Sequence, residues 1–248
     1  MHLIQPLIGS QLFRFDEVSS TNDVLRSLID KEKTTHGAVV SAQYQTSGRG
    51  QSGNSWESEA GKNLLLSMQI VPYNLTAAEQ VYLNLFAGLT VFDFVDSFFP
   101  GKTKIKWPND IYVDGKKIAG ILIENSIHGN AIKSSVVGMG VNLNQTVFLN
   151  PKSTSFHILA GKMFNMEDML DKIITLANKR YDELLQRLKN KLMEDYLNVL
   201  FLKGEKALFK SGEIVVEGEI TGIDETGRLK LKVGDEIKSF SFKEISYI

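Results

Sequence analysis

The hydrophobic positions of this chain repeat with two periods, and the switches between them mark its elements. Residues 12–18, "LFRFDEV", and 36–45, "HGAVVSAQYQ", read as strands, and "LLLSMQI" at 64–70 reads as a buried one. Between the first two, "SSTNDVLRSLID" opens like a helix. Ser20 followed three positions later by Asp23 approximates a capping box, and Val24, Leu25 and Leu28 form a stripe. Residues 76–98 are apolar over most of a helical circumference, which predicts a helix buried on more than one side and stopped before Gly101. "KTKIKWPND" and "IYVDGKKIAGILIEN" return to strands, with Asp114-Gly115 as a two-residue hairpin turn between them. A second turn at His128-Gly129-Asn130 leads into the strand pattern "AIKSSVVGMGVNLN". The 3.6-residue period comes back at 166–188, with Leu170, Ile173, Ile174, Ala177, Tyr181, Leu184, Leu185 and Leu188 on one face, and a shorter helix follows near 191–200.

From about residue 205 the pattern becomes short alternating strands with turns at Ser211-Gly212, Asp224 to Gly227 and Gly234-Asp235. A tail of about 44 residues is near the lower limit for folding alone, so it is expected to pack on the rest as a small barrel. The expected division is a larger α+β domain at 1–202 and a small β domain at 203–248.

Composition narrows the class. The 248 residues are 43% hydrophobic and 23% charged, ordinary for a globular protein. A net charge of −1 gives no field directed at nucleic acid or an acidic membrane. With no cysteine there is neither disulfide nor thiolate chemistry. No basic-then-apolar leader and no membrane-length apolar run stand out, so a cytoplasmic protein without membrane association is expected.

"GRGQSG" at 48–53 fits GxGxxG, but the dinucleotide reading fails. A strand precedes it, whereas the polar, glycine-interrupted "NSWESEAGKN" that follows has no helical stripe, and no acidic residue lies about 20 positions on. No Gly-Lys-Ser/Thr closes a P-loop either. An arginine between glycines can still approach an anion closely, which makes Arg49 a candidate ligand as well as a solvated loop residue. Lys116 and Lys117 follow the hairpin turn on opposite faces, so one of them can point inward. Gly138 and Gly140 weaken a strand unless something packs close to it. The four histidines show no metal-ligand spacing, no metal ligand is assigned, and no Ser/His/Asp pattern appears. Together these residues describe a glycine-walled pocket with positive charge from Arg49 and Lys117, suited to an anionic substrate.

In order, "SSTN", "QYQTSGRGQSGNSW", "KWPNDI", "KKIAGIL" and "GMGVNLN" resemble the biotin–protein ligase family, also called biotin–[acetyl-CoA-carboxylase] ligase. The resemblance implies a class II synthetase-like catalytic domain on a mixed, mostly antiparallel sheet, followed by an SH3-like barrel. It implies an enzyme that uses ATP and Mg²⁺ to adenylate biotin, then transfers biotin from biotinyl-AMP to a lysine of the biotin carboxyl carrier protein. By position it makes Arg49, Lys117 and Asp110 catalytic. Ser20, Thr21, Asn22, Gln45, Gly48, Gly50 and Gly120 become biotin-site residues, and Gln51 and Asn142 lie on the nucleotide side. Trp56 either covers the ligand or anchors a hinge. Two departures stand out. Several relatives follow GRG with more arginines, where this chain has Gln51, Ser52 and Asn54, and some carry an arginine near the C-terminus, where this chain ends "KEISYI". The first family motif begins at Ser19, so a ligase without operator binding or other nucleic-acid partner is expected, as monomer or homodimer. The competing readings are a lipoate–protein ligase-like enzyme and a non-catalytic biotin-binding protein.

Overall fold

A computed structural model describes residues 6–73 and 75–248, apart from the side chain of Ser52. In chain order the elements are β1 (Gln11–Val18), α1 (Thr21–Asp30), β2 (Ala38–Gln45), β3 (Asn63–Ile70), α2 (Val81–Asp96), β4 (Thr103–Lys106), β5 (Asp110–Val113), β6 (Lys116–His128), β7 (Ala131–Asn142), α3 (Phe156–Ala160), α4 (Met166–Leu185) and α5 (Lys189–Asn198). Strands β8 (Lys206–Ser211), β9 (Ile214–Ile223), β10 (Leu229–Val233), β11 (Glu236–Phe240) and β12 (Ser246–Tyr247) complete the chain.

Seven strands form one sheet in the order β1-β2-β3-β7-β6-β5-β4. Only β1 and β2 run parallel, and every other neighbouring pair is antiparallel, so the sheet is mixed and mostly antiparallel as expected. Asp114 (φ 47°) and Gly115 (φ 77°) both take positive φ in the β5–β6 turn, the conformation that matches a tight turn to the twist of its strands. The last five strands form a second, antiparallel sheet in the order β11-β10-β9-β8-β12. Its outer strands β11 and β12 do not pair with each other, so a closed barrel is not formed among the described residues.

The helices lie on both faces of the large sheet. Leu64, Leu66, Met68 and Ile70 of β3 join α2, α4 and α5 in the main core. On the other face, Leu25 of α1 packs against Ala38, Val40 and Val136. Strand β3 is therefore buried on both sides, which explains its unbroken apolar run. α2 begins after a separate 3-10 turn at Ala77–Glu79, so the stretch predicted as one helix is two pieces. Leu188 is not on the face of α4. That helix ends at Leu185, Arg187 takes φ 56°, and Leu188 is exposed before α5. Ser20 occupies the N-cap position of α1 without a side-chain capping bond, and Asp23 is spent on Arg49 instead.

His36 is buried and stacked on Tyr181 of α4, with ring centroids 4.6 Å apart, and its Nδ1 accepts the Val71 N–H at 3.1 Å. Burial pushes its imidazolium pKa down to about 4. The unfolded chain therefore takes up a proton below about pH 6.5 that the native imidazole refuses. Stability is full above that pH and falls by about 2 kcal/mol as pH drops towards 4, less than a fully desolvated ring would give. Urea midpoints across this range should show that loss, and His36→Asn, which keeps an acceptor for Val71, should flatten it.

Candidate active site

The antiparallel register lines up one row of residues across five strands: Leu65 of β3, Gly140 of β7, Gly120 of β6, Asp110 of β5 and Lys106 of β4. Directly opposed residues share a face, and this face is the one carrying α1. The neighbouring row contains Ser67, Gly138 and Leu122. A cavity of about 310 Å³ lies over these rows, and its walls include α1, the loop after β2 and the end of the second sheet.

One end of the cavity is neutral and rich in hydrogen-bonding groups. Ser20, Thr21 and Asn22 are all buried at the start of α1. Ser67 Oγ lies 2.6 Å from Asn22 Oδ1 and 2.8 Å from Thr21 Oγ1, and Gln45 Oε1 accepts from the Thr21 N–H at 2.8 Å. The glycine row explains the middle. A Cβ on Gly138 would stand 2.2 Å from Asn22 Oδ1, and one on Gly140 would stand 2.5 Å from the Trp56 indole. A Cβ on Gly120 would come within 2.9 Å of the same indole and 3.4 Å of Lys117 Nζ. Larger residues there would expel the side chains that cover the floor. Trp56 is thus a cavity wall, and its Nε1 is buried with no hydrogen-bond partner among the described residues.

The other end is cationic. Lys117 Nζ pairs with Asp110 at 2.7 Å and lies 5.6 Å from the Trp56 ring centroid. Lys117 points inward where Lys116 is exposed, as the alternation after the turn predicted. Its backbone is pinned on both sides, since its N–H donates to the Lys152 carbonyl and its carbonyl accepts the Thr154 N–H, both at 2.8 Å. Arg49 is held by Glu124 (2.5 Å) and Asp23 (3.1 Å). Glu124 also accepts from Asn22 at 2.8 Å and pairs with Arg26 at 2.6 Å. Burial alone would raise the Glu124 pKa, but hydrogen bonds from Asn22 and Arg26 and the charge of Arg49 hold it below the usual carboxylate range.

The cavity therefore gathers Ser20, Thr21, Asn22, Gln45, Arg49, Gly50, Gln51, Trp56, Asp110, Lys117 and Gly120 from the sequence-derived set. Two members lie elsewhere. Gly48 does not line it; its carbonyl accepts the Trp56 N–H at 2.9 Å, and a Cβ there would meet the Trp56 carbonyl at 2.7 Å. Gly48 thus lets the loop fold back on itself. Asn142 is buried one row beyond Gly140 on β7, outside the lining, its Nδ2 donating to the Thr154 carbonyl at 3.0 Å. The sequence reading named neither Ser67, Glu124 nor Tyr247, and it left Lys106, the first residue of "KWPNDI", without a role. Cross-strand register and the packing of α1 and the second sheet bring these four together, which a linear pattern does not carry. "GRGQSG" is followed by a single 3-10 turn, Gln51–Gly53, and by no α-helix.

The family model described as the biotin/lipoate A/B protein ligase family matches residues 14–142, and a second, the biotin protein ligase C-terminal domain, matches 206–246. The chain belongs to the biotin/lipoate A/B protein ligase family. The bifunctional ligase/repressor BirA of Bacillus subtilis is 28% identical to it over 96% of this chain and 74% of its own length. The biotin–[acetyl-CoA-carboxylase] ligase of Mycobacterium tuberculosis is 30% identical over 91% and 86%. The biotin protein ligase of Aquifex aeolicus, solved in complex with biotin and ATP, superposes with a TM-score of 0.79 at 24% identity, covering 96% of this chain and 98% of that one. That last likeness bears on the fold. Every cavity residue of the large sheet and α1 lies within the matched 14–142, and Phe242, Ile245 and Ser246 of the cavity lie within the second match. No helix of the described residues is long and apolar enough to cross a membrane.

Proposed function

We propose that this cavity condenses biotin with ATP to biotinyl-5′-AMP and then passes biotin to a lysine of a biotin carboxyl carrier protein. The observation that carries the reading is the gradation along one cavity. Its neutral end (Ser20, Thr21, Asn22, Gln45) suits a ureido group, the Gly138–Gly140–Trp56 stretch suits an apolar bicycle and chain, and the Lys117 end suits a carboxylate. Lipoate has no hydrogen-bonding head group for the first of these, which favours biotin within the family.

In the first half-reaction a carboxylate oxygen of biotin bonds to the α-phosphorus of ATP, and the bond from that phosphorus to the bridging oxygen breaks. The electron pair leaves with pyrophosphate. Both partners are anionic, so fixed positive charge at their meeting point lowers the barrier. Lys117, carried over Gly120 by its pinned backbone, is the group placed to do this, and Asp110 holds it there. Arg49 joins it once an incoming anion competes with Glu124 and Asp23. Mg²⁺ fits as a companion of the nucleotide, because it is commonly held by phosphate oxygens, water and one or two carboxylates; Asp110 is the carboxylate that lines the cavity. Bound there it neutralises phosphate charge. In the second half-reaction a carrier lysine amine attacks the acyl carbon and AMP departs. The loop of Arg49 to Trp56 shields the anhydride from water. The C-terminal sheet, open between β11 and β12, is read as SH3-like and the larger domain as class II synthetase-like.

Incubation with biotin, MgATP and a biotinyl carrier domain should add to one carrier lysine the mass of biotin less water. An unmodified carrier, with biotinyl-AMP formed in the same mixture, would remove the second half-reaction from this account.

A further inference from the structure

Lys106 stands at the far end of the floor row, two strands beyond Gly120 and about 10 Å from it at ordinary strand spacing. It lines the cavity with Arg49 and Lys117, and its state differs from theirs. Arg49 is paired with two carboxylates and Lys117 with one, whereas among the described residues no carboxylate lies in ion-pair range of Lys106. Its ammonium donates instead to Tyr112 Oη at 3.1 Å and lies 4.7 Å from the ring centroid of Tyr112 and 4.5 Å from that of Tyr247. Tyr247 belongs to the second sheet, and its own hydroxyl is buried with no hydrogen-bond partner among the described residues. The loop that follows Arg49 offers no second cation before Trp56, its polar residues Gln51, Ser52, Asn54 and Ser55 being neutral.

Resting on the biotin–ATP reading above, we propose that Lys106, clamped between Tyr112 and Tyr247, binds the β- and γ-phosphates of ATP that leave as pyrophosphate. An anion entering the cavity meets two cations already neutralised and one that is not. Interaction with a phosphate requires no resident ion pair to break at Lys106. The lysine is pre-oriented by its two rings, so little side-chain freedom is lost on binding. Burial lowers the ammonium pKa, and although Asp110 works against this, Lys152 and Lys117 add to the lowering. An arriving phosphate relieves this destabilised charge. The row order then sets the reaction axis, with the carboxylate near Gly120 and Lys117 and the leaving group over Asp110 and Lys106.

The test is Lys106→Met, with Lys106→Arg as the conservative partner, in biotin-dependent exchange of labelled pyrophosphate into ATP. Lys106→Met should raise the KM for ATP and for pyrophosphate at least tenfold, leave the biotin dissociation constant measured without ATP within twofold, and be partly rescued by arginine. A KM for ATP within twofold of wild type, with a lowered melting temperature, would make Lys106 a clamp for the second sheet and overturn the proposal. Should Lys106→Met not fold, the wild-type protein serves. MgATP should slow reductive methylation of Lys106 severalfold where biotin alone does not, and equal rates would overturn it. Absence of biotin-dependent exchange in the wild-type protein is a different result, which removes the biotin–ATP reading itself.

Discussion

Replacing Lys117 with alanine should lower the rate of biotin adenylation by about 10²- to 10³-fold, the usual cost of removing one preorganised charge at a developing transition state. The backbone of Lys117 is fixed by the Lys152 carbonyl and the Thr154 N–H, so truncation removes charge without freeing the strand. It also leaves Asp110, 2.7 Å from the lost ammonium, as an uncompensated negative charge facing two anionic substrates. The neutral end of the cavity, Ser20 to Asn22 with Gln45, is untouched. Biotin affinity should therefore fall far less, within about tenfold, because one exposed-side charge pair accounts for roughly 1.4 kcal/mol of it at most. Calorimetric titration with biotin beside single-turnover adenylation separates the two. Equal losses in both would make Lys117 a residue of structure and not of chemistry.

Arg180→Met should cost about 3–5 kcal/mol of folding stability, the range for removing one partner from a buried ionic cluster. Arg180 lies on α4 with 9% of its side chain exposed and binds Asp93 of α2 (2.7 Å), Glu183 (2.8 Å) and Asp195 of α5 (2.6 Å). It thus ties three helices together on the face of the sheet away from the cavity. Burial would raise the carboxyl pKa values of Glu183 and Asp195, but hydrogen bonds from Lys191 and Arg180 outweigh it and hold both below their ordinary range. Their stabilising contribution is therefore present above about pH 4.5 and is lost as pH falls through their native pKa values. Without Arg180, Lys191 still faces Glu183 and Asp195, and Asp93 is left without an ion-pair partner among the described residues. Urea denaturation at neutral pH measures the cost. Neutralising Asp93, Glu183 and Asp195 together with Arg180 should recover much of it, since the penalty comes from charges left without a counterion. A loss below 1 kcal/mol would mean that solvent reaches the cluster.

What the sequence displayed follows from the range of each signal. Asp114-Gly115 announced its turn because a two-residue hairpin fixes positive φ locally. The alternation after that turn then sent Lys117 inward and Lys116 out. The glycines of "GMGVNLN" were legible as a place of close approach, but not what approaches: Asn22 over Gly138 and Trp56 over Gly140, from 116 and 84 positions away in the chain. Glu124 was invisible as a site residue for the same reason, since α1 lying across the sheet brings Asn22 to it. Lys106 stood within "KWPNDI", but its place at the end of the floor row comes from the register of β4–β5–β6, which is not a local property. Leu188 fitted the helical stripe perfectly well in sequence, yet the left-handed Arg187 ends the helix before it. The five motif strings contain most of the residues that line the cavity. Asn142, also within a motif, stands outside the cavity lining, with its Nδ2 donating to the Thr154 carbonyl.

Activation of biotin by ATP in this cavity is decided by exchange of labelled pyrophosphate into ATP by the purified protein, with biotin, with lipoate and with neither. Exchange that depends on biotin and is not supported by lipoate is the predicted result. Exchange driven by lipoate alone, or none with either acid, would contradict it.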